Sequence, residues 1–293
     1  MLLVESSRNT RGTTVTPLKL GPIAVALNVS ADSTHLAEAV ELERLGYATI
    51  WLPGGQIDAL DRITEVVRAT DTIPVASGII SPDVYPAAAV WQEYANLQQE
   101  APDRFIVGLG ASQKPHALPA LTQYLDELDA APTPVSADRR ILAAMGPRKL
   151  EVARVRCAGA ITLLVTPAYT AAARHALGPD SVLVVDQFVV LDTDPTRARE
   201  AARQPLRFLS QIGGYRANFT RMGFTEQDID SLSDRLIDHL VIWGDADTIA
   251  TRIRKHLQVG ADQVVLSILG DGTGPGAFNQ LDAATQLAGR LLP

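Results

Sequence analysis

The stretch Arg140–Thr166, RILAAMGPRKLEVARVRCAGAITLLVT, decides the fold. An apolar run, Ile141 to Met145, meets Gly146-Pro147, and a segment follows with Leu150, Ala153 and Cys157 at helical spacing. Gly159 ends that helix, and a second apolar run, Ala160 to Val165, stops at Thr166-Pro167. Strand, turn, helix and strand make one βαβ unit. Pro147 suits a first helical turn, where its missing N–H costs nothing. Gly146 leaves bare backbone ahead of a helix N-terminus, where free amides and the macrodipole favour an anion. An ordinary connection with a turn glycine explains the same three residues, so the phosphate reading depends on what surrounds them.

Working outward, the same alternation continues in both directions. Upstream, PIAVALNV (22–29) reads as a strand ending at Asn28, and a helix runs from Asp32 to Leu45 with Gly46 closing it. ATIWL (48–52) stops at Pro53-Gly54-Gly55, a helix covers roughly 58–70, and IPVASGII (73–80) is a third strand. A helix with Val90, Tyr94 and Leu97 on one face leads to the strand Phe105–Leu109. Residues 113–138 hold four prolines and a short amphipathic piece, Leu118 to Leu128, in an otherwise irregular connection. Downstream, Ser181–Leu191 is strand seven and Asp194-Pro195 opens a helix. A wholly helical insertion over about 205–243 precedes a helix striped by Ala246, Ile249, Ala250, Ile253 and Leu257. DQVVLSIL (262–269) is strand eight, and 277–291 is the final helix.

Eight apolar strands alternating with helices predict an α/β fold, a TIM (β/α)8 barrel with a helical insertion between strand seven and the last helix. A doubly wound open sheet is the alternative. The expected domain is single, residues 18–293, behind a loosely ordered extension, 1–17. With 293 residues, 46% hydrophobic and 20% charged, the chain is long enough for such a barrel and its core. A net charge of −7 argues against nucleic acid and anionic membranes as partners. The single cysteine, Cys157, permits no internal disulfide, and no secretory leader or membrane span is readable, so the expected location is cytoplasmic.

In a barrel the site forms at the C-terminal strand ends. Those ends read Asn28, Gly54-Gly55, Ser77-Gly78-Ile79, Gly108 with Gly110 and Ser112, Ala144-Met145-Gly146, and Gln187. The ring is rich in glycine and poor in titratable groups, which suits a large flat cofactor that brings its own chemistry. Paired carboxylates, a Ser/His/Asp arrangement and metal-spaced ligands are all missing from these ends. Asp234, Asp238 and His239 share a helix, but their spacing reads as a solvated face rather than a metal site. Gln187 follows Asp186 inside a strand, and such a polar pair serves either a site or the packing around it.

ELERLGYATIWL (41–52) and RFIVGLGAS (104–112) resemble the second and fourth units of the luciferase-like monooxygenase superfamily. The opening stretch resembles its fifth and sixth strands. DTDPTRARE (192–200), GGYRANFTRMGF (213–224), SDRLIDHLVIWGD (233–245) and HLQVGADQVVL (256–266) resemble its actinobacterial branch that uses the deazaflavin coenzyme F420. The resemblance implies a hydride-transferring oxidoreductase with F420 across the barrel mouth, a small organic substrate and a homodimer. FMN is the alternative cofactor, in a monooxygenase; a cofactor-binding barrel without turnover is the third reading. It further implies a bulge with a non-prolyl cis peptide at Ser77-Gly78-Ile79, with Gly108, Gly110 and Ser112 on the next edge. Ala144, Met145 and Gly146 would hold the phosphate, with Arg148 and Lys149 beside them. Many relatives end strand two with an acidic residue and then histidine, where this chain has Gly54-Gly55. They also carry Asp before the glycine opening strand six, where Ala158 stands here, and a longer loop in place of 113–138. The expected proton donors are therefore Tyr215, His116 or water, although Tyr215 also suits aromatic packing and His116 also suits solvent. Asn218, three residues beyond Tyr215, matches a family position near the mouth.

Overall fold

A computed structural model describes residues 18–112, 116–270 and 279–293. The expected extension, 1–17, lies outside the described residues. The elements run β1 (Ile23–Ala26), α1 (Thr34–Arg44), β2 (Ile50–Pro53), α2 (Asp61–Ala69), β3 (Val75–Gly78), α3 (Ala87–Glu100) and β4 (Phe105–Leu109). They continue through α4 (Ala117–Asp129), β5 (Arg140–Ala143), α5 (Pro147–Arg156), β6 (Gly159–Leu163), α6 (Pro167–Leu177) and β7 (Val182–Val190). The last third holds α7 (Pro195–Leu209), α8 (Gly213–Arg221), α9 (Glu226–Ser231), α10 (Asp234–Leu240), β8 (Ile242–Trp243), α11 (Ala246–Gln258), β9 (Gln263–Ile268) and α12 (Gln280–Leu291).

Strands β1 to β7 pair in parallel order, β7 pairs β9, and β9 returns to β1, which closes an eight-stranded ring. The fold is the TIM barrel that the alternation predicts, not an open sheet. Two details differ from expectation. The insertion is not wholly helical, because β8 pairs the far end of β7, Val189 with Ile242 and Val190 with Trp243. The stretch expected as largely irregular carries a full helix, α4, which buries Leu121, Tyr124, Leu125 and Leu128 at i, i+3, i+4, i+7.

Alternate strand residues face two different cores. Ala24, Trp51, Ala76, Ile106, Ile161, Val184 and Val265 fill the barrel interior. Leu52, Val75, Val107, Leu142, Leu183, Val185 and Leu266 point outward beneath the helices. At the N-terminal end Gln263 closes the floor, accepting from Trp51 Nε1 at 2.9 Å and donating to the Gly21 carbonyl at 2.8 Å. A third cluster, with Phe219, Leu236, Ile237 and Leu240, seats the insertion against β7. Asp234 and Asp238 pair with Arg199 of α7, and Asp234 also pairs with Arg203. They are inter-helix struts, and among the described residues no group of His, Cys, Asp and Glu is placed to hold a metal.

Candidate active site at the barrel mouth

The C-terminal strand ends open into a cavity of about 1060 Å3. Three kinds of surface border it: bare backbone, a cationic edge and an apolar wall.

The bare backbone comes first. Gly54, Gly55, Gly78 and Gly110 line the cavity beside Asn28 and Ile79. The Gly78–Ile79 peptide is cis. Asn28 is held by Gln56 Nε2, which donates to its Oδ1 at 2.9 Å. Some of these glycines are required by the fold itself. A Cβ on Gly54 would lie 2.0 Å from the Ile79 carbonyl oxygen, whereas one on Gly55 meets nothing within 4 Å. Position 55 is therefore open space facing the site.

The cationic edge follows from α5. Gly146 occupies its N-cap in extended conformation with no side-chain cap, and Pro147 fills the first turn. The amides of Arg148 and Lys149 have no intrahelical acceptor, and these two residues line a cavity edge with Met145 and Gly146. Arg221 of α8 borders the same edge, donating to Asn218 Oδ1 at 2.6 Å and to the Met145 carbonyl at 3.3 Å. Tyr169 OH also donates to that carbonyl and so anchors the turn. Burial pushes the Lys149 ammonium below its ordinary range. A free helix start with three cations beside it has the chemistry to accept a phosphate-like anion.

The apolar wall is Trp51, Ile79, Ile161, Leu163 and Phe188, and at the rim Val84 and Phe208 stand 65% and 71% exposed. Set into it is Asp186, on the interior-facing parity of Val184 and Phe188. Ser267 Oγ donates to Asp186 Oδ1 at 2.6 Å. Burial raises its pKa to about 7, against the Ser267 hydrogen bond, which lowers it. Tyr215 lines the cavity as well; burial first, and then the Asp186 charge, push its phenol well above the ordinary value. It stays a neutral hydrogen-bond donor throughout the working range.

Asn28, Gly54, Gly55, Gly78, Ile79, Gly110, Ala144, Met145, Gly146 and Tyr215 thus meet at one cavity. The others sit elsewhere. Gln187 is on the outward face of β7, donating to the Leu240 carbonyl at 2.8 Å, and serves to dock the insertion. Ser77 and Gly108 bond each other behind the wall: Ser77 Oγ accepts from the Gly108 amide at 2.9 Å and donates to the Gly108 carbonyl at 3.0 Å. A Cβ on Gly108 would lie 1.8 Å from the Ser77 carbonyl oxygen, so this glycine lets two strands approach. Ser112 donates to Asp83 Oδ1 at 2.7 Å, away from the cavity lining. His116 is exposed at the start of α4, also outside the lining. Asn218 is fully buried, its Nδ2 without a partner among the described residues. Cys157 is a buried free thiol, its pKa pushed up to about 11 by burial.

Asp186 and Ser267 are the functional candidates that strand-end reading missed. The signal in the sequence is a carboxylate inside an apolar strand, one residue before Gln187.

Residues 24–127 match the family model of the luciferase-like monooxygenases. No curated protein sequence matches the chain. Among solved structures, the chain is similar to an F420-dependent secondary alcohol dehydrogenase in complex with an F420–acetone adduct. The identity is 15%, over 94% of this chain and 99% of that one, with a TM-score of 0.71. It is also similar to a coenzyme F420-dependent tetrahydromethanopterin reductase from Methanopyrus kandleri, at 17% identity over 94% and 99% of the chains, TM-score 0.69. A third is the oxygenating constituent of 3,6-diketocamphane monooxygenase from Pseudomonas putida in complex with FMN, at 11% identity over 94% and 96%, TM-score 0.60. At such identities the likeness is one of fold. Residues 24–127 are thus similar to the luciferase-like monooxygenases, on a barrel whose fold is like that of F420-dependent and FMN-bound proteins.

Proposed function

We propose that this protein is an F420-dependent oxidoreductase acting on a small organic substrate. The observation that carries the reading is the anion seat at the cavity edge: the uncapped start of α5 with Arg148, Lys149 and Arg221 around it. The residues present fit such a cofactor. Bare backbone at Gly54, Gly55, Gly78 and Gly110 leaves room for a flat ring, and the cationic edge offers charge to a phosphate. When bound, the deazaflavin supplies two-electron hydride chemistry. The chain's own residues bind the anionic end, orient the ring against the glycine edge, and keep water from the apolar wall. Tyr215 offers an un-ionised hydroxyl to whatever lies beside it.

FMN shares the phosphate seat, so the cofactor is tested directly. Purified protein titrated separately with F420 and FMN is expected to bind F420 more tightly. The double variant Arg148→Ala/Lys149→Ala should lose roughly tenfold in affinity, with a shallower salt dependence, because two charge-assisted contacts disappear. Tighter FMN binding would move the assignment to the monooxygenase reading. Failure of both to bind, or indifference to the double variant, would refute it. The proposal extends to a homodimer in the reducing cytoplasm, as the family resemblance implies. No helix of the described residues is long and apolar enough to cross a membrane.

A further inference from the structure

We propose that Asp186, held by Ser267, is the group that grips the substrate's reacting oxygen and supplies its proton, and that the substrate is an apolar carbonyl compound or its alcohol. The inference deepens the redox reading above and rests on it for the hydride. It stands on placement. Asp186 is the only carboxyl among the described residues lining the cavity, and it sits on the inward face of β7 between Val184 and Phe188. Across the sheet its register partners are Leu163 on β6 and Val265 on β9, neither able to pair with a charge. Among the described residues the polar groups that face it are Ser267 from β9, at 2.6 Å, and Tyr215 from α8. Arg148, Lys149 and Arg221 line the cavity on α5 and α8, yet none of them contributes to its proton affinity, which burial dominates.

These surroundings select a ligand. Trp51, Ile161, Leu163 and Phe188, with the exposed Phe208 and Val84 at the rim, match an apolar body. A half-buried carboxyl set among them accommodates a neutral oxygen and disfavours an anion. A carbonyl oxygen only accepts hydrogen bonds, so it requires the protonated acid; a hydroxyl can donate to the carboxylate or accept from the acid. In the reducing direction, a bound reduced deazaflavin would supply a hydride, with its two electrons, to the carbonyl carbon. The carbonyl oxygen takes the Asp186 proton as the carboxyl O–H breaks, giving the alcohol and a carboxylate that is reprotonated from solvent. With the carboxyl titrating near neutrality, both protonation states are accessible to that cycle.

The test uses the full chain without cofactor and two fluorescent probes, 2-acetylnaphthalene and 1-(2-naphthyl)ethanol, titrated between about pH 5.5 and about pH 8.5. Wild-type affinity for the ketone should fall roughly thirtyfold over that range, as the acid form is lost, while that for the alcohol changes little. Asp186→Asn, which donates at every pH, should bind the ketone without pH dependence. Ser267→Ala removes the bond that favours the carboxylate, so it should move the midpoint upward. An acid C=O band in the infrared at neutral pH should vanish in Asp186→Asn. A flat wild-type profile, a pH dependence that survives Asp186→Asn, or failure to bind either probe overturns the proposal. Titration with F420 and FMN separates the two claims. Cofactor binding with a flat ketone profile sinks only the role of Asp186. The expected profile in a protein that binds neither cofactor keeps the recognition and sinks the redox chemistry.

Discussion

Asp186 predicts an unusual dependence of stability on pH. Its carboxyl has a pKa of about 7 in the fold and 3.8 as an ordinary side chain. The native state therefore holds the proton more tightly than the unfolded chain does. For an acid shifted upward the sign is destabilising toward high pH: the loss begins above about 3.8 and is complete once the pH exceeds about 7. Between pH 5 and pH 8.5 the fold loses the part that lies between 5 and 7. That is about two units, or roughly 3 kcal/mol, as a ceiling. The carboxyl faces a cavity that water can enter, so roughly 1–3 kcal/mol is the expected span. Asp186→Asn abolishes the titration while its carbonyl still accepts from Ser267. Urea unfolding of both proteins at the two pH values should show a gap that widens by that amount at the higher pH. In thermal terms the widening is roughly 2–6 °C for a chain of this size. A gap of equal size at both values would mean that the carboxylate is hydrated in the fold, and the argument from burial would fail.

Two further expectations bear on the scaffold. Burial first, with Arg252 adding to it, lowers the His256 pKa to about 4, and its Nδ1 lies 2.9 Å from Thr170 Oγ1. Its contribution is present above pH 6.5 and lost as the pH falls toward 4, a ceiling of roughly 3 kcal/mol. His256→Gln should flatten that acid limb in urea titrations, and an unchanged limb would count against it. Gly108→Ala and Gly54→Ala drive a Cβ into backbone oxygens at 1.8 and 2.0 Å, so each should cost at least roughly 2–3 kcal/mol. Gly55→His should stay within roughly 1 kcal/mol of the parent, and comparable unfolding midpoints for all three would contradict the packing account.

The sequence made the strand order and the barrel legible because parallel strands buried on both faces are runs such as VLVVDQFVV in β7. That same property hid which side chains point inward. A strand apolar on both faces has no period-two alternation to give its parity, so Asp186 and Gln187 looked equivalent, and Gln187 drew the site role. Only pairing with β6 and β9 fixes the parity, and that pairing is tertiary. The glycines mislead for a related reason. A glycine demanded by a neighbouring strand, as at Gly108, is indistinguishable in the sequence from one that clears space for a ligand, as at Gly55. The anion seat was readable because Gly146-Pro147 is a local signal, set by one turn of helix. Arg221 was not, since it arrives from the insertion, more than seventy residues away in the chain.

Three features of the mouth each work against stability, and each points into the same space. The start of α5 keeps free amides and has Arg148 and Lys149 without an ion-pair partner among the described residues, although Asp, Ser or Thr at position 146 would cap it. Phe208 and Val84 stand mostly in solvent, where a polar side chain would cost nothing. Asp186 occupies an interior position that a leucine or valine would fill at no desolvation cost. A scaffold shaped only by folding has no reason to concentrate an uncapped helix, an apolar rim and a desolvated acid around one cavity. The occupants proposed above, with an anionic end, a flat body and an apolar carbonyl partner, would relieve all three at once, turning uncapped and exposed groups of the free protein into contacts in the complex.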